Sequence, residues 1–179
     1  MLFGTRDLTT DILHRHLDAD FWVAGAGEHP PTKKQLSQVA DRFGCKLPKE
    51  FVAHSIGSLG GVYVEVKEDV WPRPQALQAG PFWSFLYAVF VYGLSPAIPD
   101  WMNIELTAAE FENTSGHRRV PCLKVVGDAD FYVFDSSGNI ERWRHEIDQF
   151  ERFPGSFFEL LDREISQLRE RKDRKVAGQ

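Results

Sequence analysis

The side chains of this chain that could bind a metal, attack a substrate or move a proton are six histidines, two cysteines and a scatter of acids. His14 and His16 lie two apart, so on a helix they point away from each other and cannot share a metal ion. His29, His54, His117 and His145 are dispersed. Cys45 and Cys122 form no CxxC pair, and no neighbour in sequence would activate either thiol, so both read as small buried hydrophobes. Asp128 and Asp130 fall two apart on an extended segment and therefore point to one side, a geometry that general acid–base chemistry could use. Acids at that kind of place more commonly solvate a turn. The run Asp135-Ser-Ser-Gly-Asn139 lacks the alternating acids and the closing glutamate of a calcium loop. Gly25-Ala26-Gly27 starts like a dinucleotide fingerprint, but no third glycine follows and two prolines intervene. No nucleophile elbow or phosphate loop is present. These spacings predict no active site, no metal and no cofactor.

A binding role remains. Glu65, Glu68 and Asp69 stand next to Trp71, and acids beside an indole suit a protein interface, where Trp and Tyr often act as anchors. The alternative is that Trp71 folds back onto the sheet. Asp128 and Asp130 are further candidates for such a patch. Residues 169–175 read RERKDRK, net +3, so the rest of a chain of net charge −5 carries −8. An acidic body does not suit a phosphate backbone, which rewards Lys and Arg, but it does suit a basic protein partner. Plain solubility is the other reading of that charge. Two isolated cysteines point to a reducing compartment, and the N-terminal stretch has no apolar run of signal-peptide length, so a cytoplasmic location is expected. Residues 74–99 contain no charged residue. Their apolar centre, residues 82–94, covers only about 20 Å as a helix and is too short for a membrane span.

The elements that would position these residues follow from periodicity and punctuation. The stretch 47–66, LPKEFVAHSIGSLGGVYVEV, carries a helix start at Pro48, apolar residues at helical spacing from Phe51, a Gly60-Gly61 stop, and a strand at Val62, Val64 and Val66. Before it, residues 8–17 predict a short helix, residues 21–23 an apolar plug, and Thr32 the N-cap of a helix through Phe43 that Gly44 closes. After it, residues 67–80 read as loop. Residues 82–92, FWSFLYAVFVY, read as one strand buried on both faces or two short ones, with helix as the alternative. Residues 102–106 predict a short strand, Thr107 and Glu110 a capping box, and residues 123–126 another strand. Residues 131–144 form the clearest hairpin, with its turn at 135–139. Ser156 and Glu159 make a capping box that launches a final helix with Phe157, Leu160, Leu161, Ile165 and Leu168 inward, fraying into the charged tail. At 179 residues this is one α+β domain, a mostly antiparallel mixed sheet with helices packed around it. Its parts are an N-terminal extension at 1–31, a core at 32–168 and a charged tail at 169–179.

This order resembles the SUKH superfamily, the Smi/Knr cell-wall-regulator-like proteins. The residues that carry the resemblance are the LPKEF helix, the Gly60-Gly61 turn into a strand, Phe131-Tyr-Val-Phe134 with its D-x-x-G turn, Ile140 and Trp143, and the closing helix that opens with Ser156-Phe157. The match spans 32–168. Residues 80–87 and 98–101 look like an elaborated branch, and the extension before Thr32 lies outside the common core. The resemblance implies an immunity protein that binds and neutralises a cognate polymorphic toxin, often a nuclease or deaminase, without catalytic residues of its own. For fungal relatives it implies a regulatory scaffold with several partners, which is the alternative function. No nucleic acid or membrane partner is expected.

Overall fold

A computed structural model describes residues 7–75 and 80–178. The chain runs α1 (Leu8–His16), β1 (Phe21–Ala24), α2 (Lys33–Phe43), α3 (Lys49–Ser55), β2 (Tyr63–Val66), β3 (Ala88–Val91), α4 (Ile104–Ser115), β4 (Val120–Val125), β5 (Phe131–Phe134), β6 (Ile140–Arg144), β7 (Gln149–Arg152) and α5 (Phe157–Val176). The seven strands form one sheet in chain order, every neighbour antiparallel, so the molecule is a single α+β domain. Its only parallel pairing among the described residues is an isolated bridge between Gly93 and Asn103, so the expected mixed sheet is an antiparallel meander.

The joint at 47–66 forms as its residue types dictate. Pro48 precedes α3, and Gly61 takes φ +64, a left-handed conformation that costs glycine little. A Cβ on Gly60 would collide with the Ser55 carbonyl, so the two glycines serve different ends, close approach and reversal. Of the two expected capping boxes, Ser156 with Glu159 on α5 is present, and the expected N-cap Thr32 forms a further box with Gln35 on α2. The hairpin of β5 and β6 has the expected register, Phe131 opposite Trp143 and Phe134 opposite Ile140. Asp135 closes its turn by accepting from the backbone N–H groups of Ser137 and Asn139.

Alternation along β5 separates the helices. Phe131 and Tyr132 point to opposite faces. Phe131 meets Phe111 of α4, with ring centres 5.7 Å apart, and the Tyr132 hydroxyl donates to Glu164 of α5 at 2.8 Å. Phe134, on the Tyr132 side, packs on Phe51 of α3. So α3 and α5 cover one face of the sheet, with α1 laid against α5, and α4 covers part of the other. The main core lies on the α5 side, where Phe51, Phe134, Phe157, Leu160, Leu161, Ile165 and Leu168 are all buried. Ile56, at the end of α3, is only half-buried.

Several sequence expectations are corrected. Residues 82–92 do not make one strand. Phe82–Phe85 is a 3₁₀ turn after Pro81 that leaves Phe82 61% exposed and Trp83 49% exposed, and only Ala88–Val91 enters the sheet. The strand can extend only as far as its partner, whose register ends with Glu65 opposite Ala88. Residues 102–106 are not a strand. Asn103 caps α4 by accepting from the N–H groups of Glu105 and Leu106, and Thr107 sits inside the helix rather than capping it. The plug at 21–23 is the edge strand β1, so part of the N-terminal extension is built into the sheet. The final helix does not fray at 169, because Lys172 is buried and bonds to Asp18 and Asp20. Of the expected loop at 67–80, residues 76–79 lie outside the described residues, as do the first six residues of the extension and Gln179 of the tail.

Candidate functional site

The sheet face that α4 leaves open is aromatic. Tyr63, Phe90 and Lys124 are in register across β2, β3 and β4, and Phe131 and Trp143 continue the row on β5 and β6. Trp101, from the short 3₁₀ turn Asp100–Met102 before α4, stands over this row edge-on to Phe90 at 5.1 Å and to Tyr63 at 5.9 Å. Phe111 of α4 closes the far side, 4.8 Å from Trp143. Between them runs a groove of about 680 Å³, whose wall also includes Tyr87, Tyr92, Glu110 and His145. A smaller hollow of about 150 Å³ opens on the other side of Trp101 between it and Trp22, floored by Ala24, Gly25 and Gly61. Trp22 is 50% exposed and Trp101 55% exposed. Two half-exposed indoles flanking an apolar hollow have the composition of interface anchors.

One cation stands among these rings. The Lys124 Nζ lies 3.7 Å from the centre of the Phe131 ring and donates to the main-chain carbonyls of Asp128 at 2.7 Å and Asp130 at 3.3 Å. Burial pushes its ammonium down to about 8, with Asp128 and Asp130 pulling the other way. At the groove's edge Arg73 stacks 3.9 Å from the centre of Tyr87 and pairs with Glu65, which also accepts from the Tyr63 hydroxyl. Burial, and then that carboxylate, raise the Tyr63 hydroxyl well above its ordinary value.

The predicted contact patch is only partly assembled. Trp71 is 2% exposed and cannot serve as an anchor: its indole N–H donates to the Ser84 carbonyl and the ring joins the core. Residues 82–85 turn back over it, which gives this ring a burial site that the alternation of the preceding strand does not reveal. Glu65 is half-buried and bound to Arg73. Glu68 and Asp69 are exposed. Asp128 and Asp130 do share one side, but they hold Arg142 at 3.1 and 2.9 Å, and Asp130 also holds Arg144 at 3.1 Å. Those ion pairs brace the hairpin and leave no free carboxylate dyad for acid–base work.

Both cysteines are buried free thiols, raised by burial. At Cys45 burial outweighs the opposing charges of Arg119 and Arg118. Among the described residues no group of three His, Cys, Asp or Glu side chains could hold a metal ion. No helix among them is long and apolar enough to cross a membrane.

Sequence reasoning missed Trp22, Phe90, Trp101, Phe111, Lys124 and Trp143 as one surface. They come from six separate elements, brought together by strand register and by the packing of the Trp101 turn and α4 over the sheet. Strand alternation at Tyr63, with Val62 and Val64 on the opposite face, was the one local signal that this side of the sheet carries rings. Comparison with protein-family models, curated proteins and solved structures finds no match to the chain.

Proposed function

We propose that this chain is a non-catalytic, cytoplasmic immunity protein of the SUKH kind, which binds a cognate polymorphic toxin and blocks it by protein–protein contact. The observation that carries the reading is the open aromatic face of the sheet, where Trp22 and Trp101 stand half in water on either side of an apolar hollow. Exposed aromatic clusters of this kind mark binding surfaces, because large rings gain most when a partner removes them from water. The centre of the opposite face is covered by α3 and α5, which favours the groove side for the contact. The exposed Glu68 and Asp69 near the end of β2 add negative charge that steers a basic partner. Two buried free thiols accord with a reducing compartment.

The test is growth. Cells expressing the toxin encoded next to this chain should recover when the chain is co-expressed. Toxicity that persists with the soluble protein present would overturn the pairing.

A further inference from the structure

Among the described residues Lys124 is the ammonium on the groove floor, and no carboxylate lies within ion-pair distance of it. Its partners are two peptide carbonyls and the face of Phe131, and among the described residues it makes no ion pair. The acids nearest to it are committed elsewhere, Asp128 and Asp130 to Arg142, and Asp130 to Arg144 and to the His145 backbone N–H as well. An amine held among aromatic rings without a paired carboxylate is costly, since Asp128 and Asp130 act on it only from a distance and offset its burial in part. We propose that the groove is a receptor for an acidic segment of the protein partner: an aromatic or aliphatic side chain lies against Trp101 and Phe90, and a neighbouring carboxylate pairs with Lys124. The assignment rests on the reading of this face as the contact surface and names what that surface recognises.

The chemistry is complementary on both counts. A groove of about 680 Å³ lined by rings accepts an apolar side chain, and a carboxylate brought to a half-buried ammonium makes a charge-assisted hydrogen bond stronger than its present bonds to carbonyls. The depressed ammonium agrees: standing near 8 rather than 10.5, it has room to rise when a carboxylate arrives. The other titratable groups on the wall are Glu110, exposed and without an ion pair among the described residues, His145, and the hydroxyls of Tyr63, Tyr87 and Tyr92. Glu110 opposes an acidic occupant and favours a basic one, so its removal gives a signed test.

The experiment is an NMR titration of the full chain with three blocked dipeptides, acetyl-Trp-Glu-amide, acetyl-Trp-Gln-amide and acetyl-Trp-Arg-amide, following the Trp101 indole and the Lys124 side chain. The glutamate peptide should perturb groove residues, raise the Lys124 titration point, and bind about tenfold or more tighter than the glutamine peptide. Its affinity should fall as pH rises past about 8 in step with deprotonation of Lys124. Glu110→Gln should tighten it and Lys124→Met should erase the preference for glutamate over glutamine. Because Lys124 also ties down the Asp128 turn, the Glu110→Gln variant and the three peptides on the unaltered chain decide the matter if Lys124→Met does not fold. Equal binding of glutamate and glutamine peptides, a preference for arginine, or weakening by Glu110→Gln would each overturn the assignment. No toxin is needed, so growth rescue without a glutamate preference removes only the carboxylate assignment. A glutamate preference without rescue removes only the immunity reading.

Discussion

His54 lies where α1, α3 and α5 meet, fully enclosed, with Nδ1 bonded to the Thr9 hydroxyl at 2.9 Å and the Phe157 ring 5.3 Å away. Its Nε2 has no partner among the described residues. Burial pushes the ring down to about 4, so the folded protein keeps it neutral. The unfolded chain takes up that proton near 6.5 and the folded one only near 4, so the unfolded state binds more protons across this window. Stability should therefore be fully present above pH 6.5 and fall as the pH drops towards 4, by about 3 kcal/mol from this group. Urea denaturation at pH 7 and pH 4.5 checks it: His54→Leu should flatten that part of the pH dependence, and an unchanged slope would assign the loss to other groups. In the sequence His54 was one of six scattered histidines, and nothing local distinguishes a sealed one from an exposed one. Trp71 was left between anchor and core for the same reason, since the segment that buries it arrives more than ten residues later.

At the scale of elements, what was legible had its cause nearby. The Thr32 cap, the Ser156 capping box, the Gly60-Gly61 joint and the Asp135 turn involve groups within five residues of one another, so the sequence displays the whole interaction. At Thr107 the same local pattern gave way to a cap at Asn103. Residues 82–92 were illegible because a short apolar run fits a strand, a 3₁₀ turn or a buried helix equally well, and only the length of β2 decides how much of it enters the sheet. The tail misled through charge. RERKDRK looks like a solvated end, yet the Lys172 stem lies along the core while its ammonium reaches Asp18 and Asp20 at 2.9 and 3.0 Å, tying α5 to the start of β1. Lys172→Met should cost about 1–2 kcal/mol, a discounted figure because both aspartates keep over a third of their surface in water. Hydrogen exchange of Phe21 and Trp22 should quicken in that variant. Unchanged protection there would show that the tail does not hold the edge strand.

At the scale of the molecule, the fold class was legible and the binding face was not. Periodicity says that each strand has two faces, but which rings share a face depends on pairing seven strands in one register. The acidic balance was visible from composition, though its place on the surface was not: Asp128 and Asp130 serve arginines, while Glu68 and Asp69 are exposed. The central claim is that the aromatic face anchors the toxin, and the dissociation rate measures it most directly. In surface plasmon resonance against the neighbouring toxin, the double variant Trp22→Ala/Trp101→Ala should dissociate about tenfold or more faster than the unaltered chain. Its association rate should stay within about twofold, because apolar anchors act after encounter. An unchanged dissociation rate, with circular dichroism showing the variant folded, would contradict the claim and move the contact off the groove face.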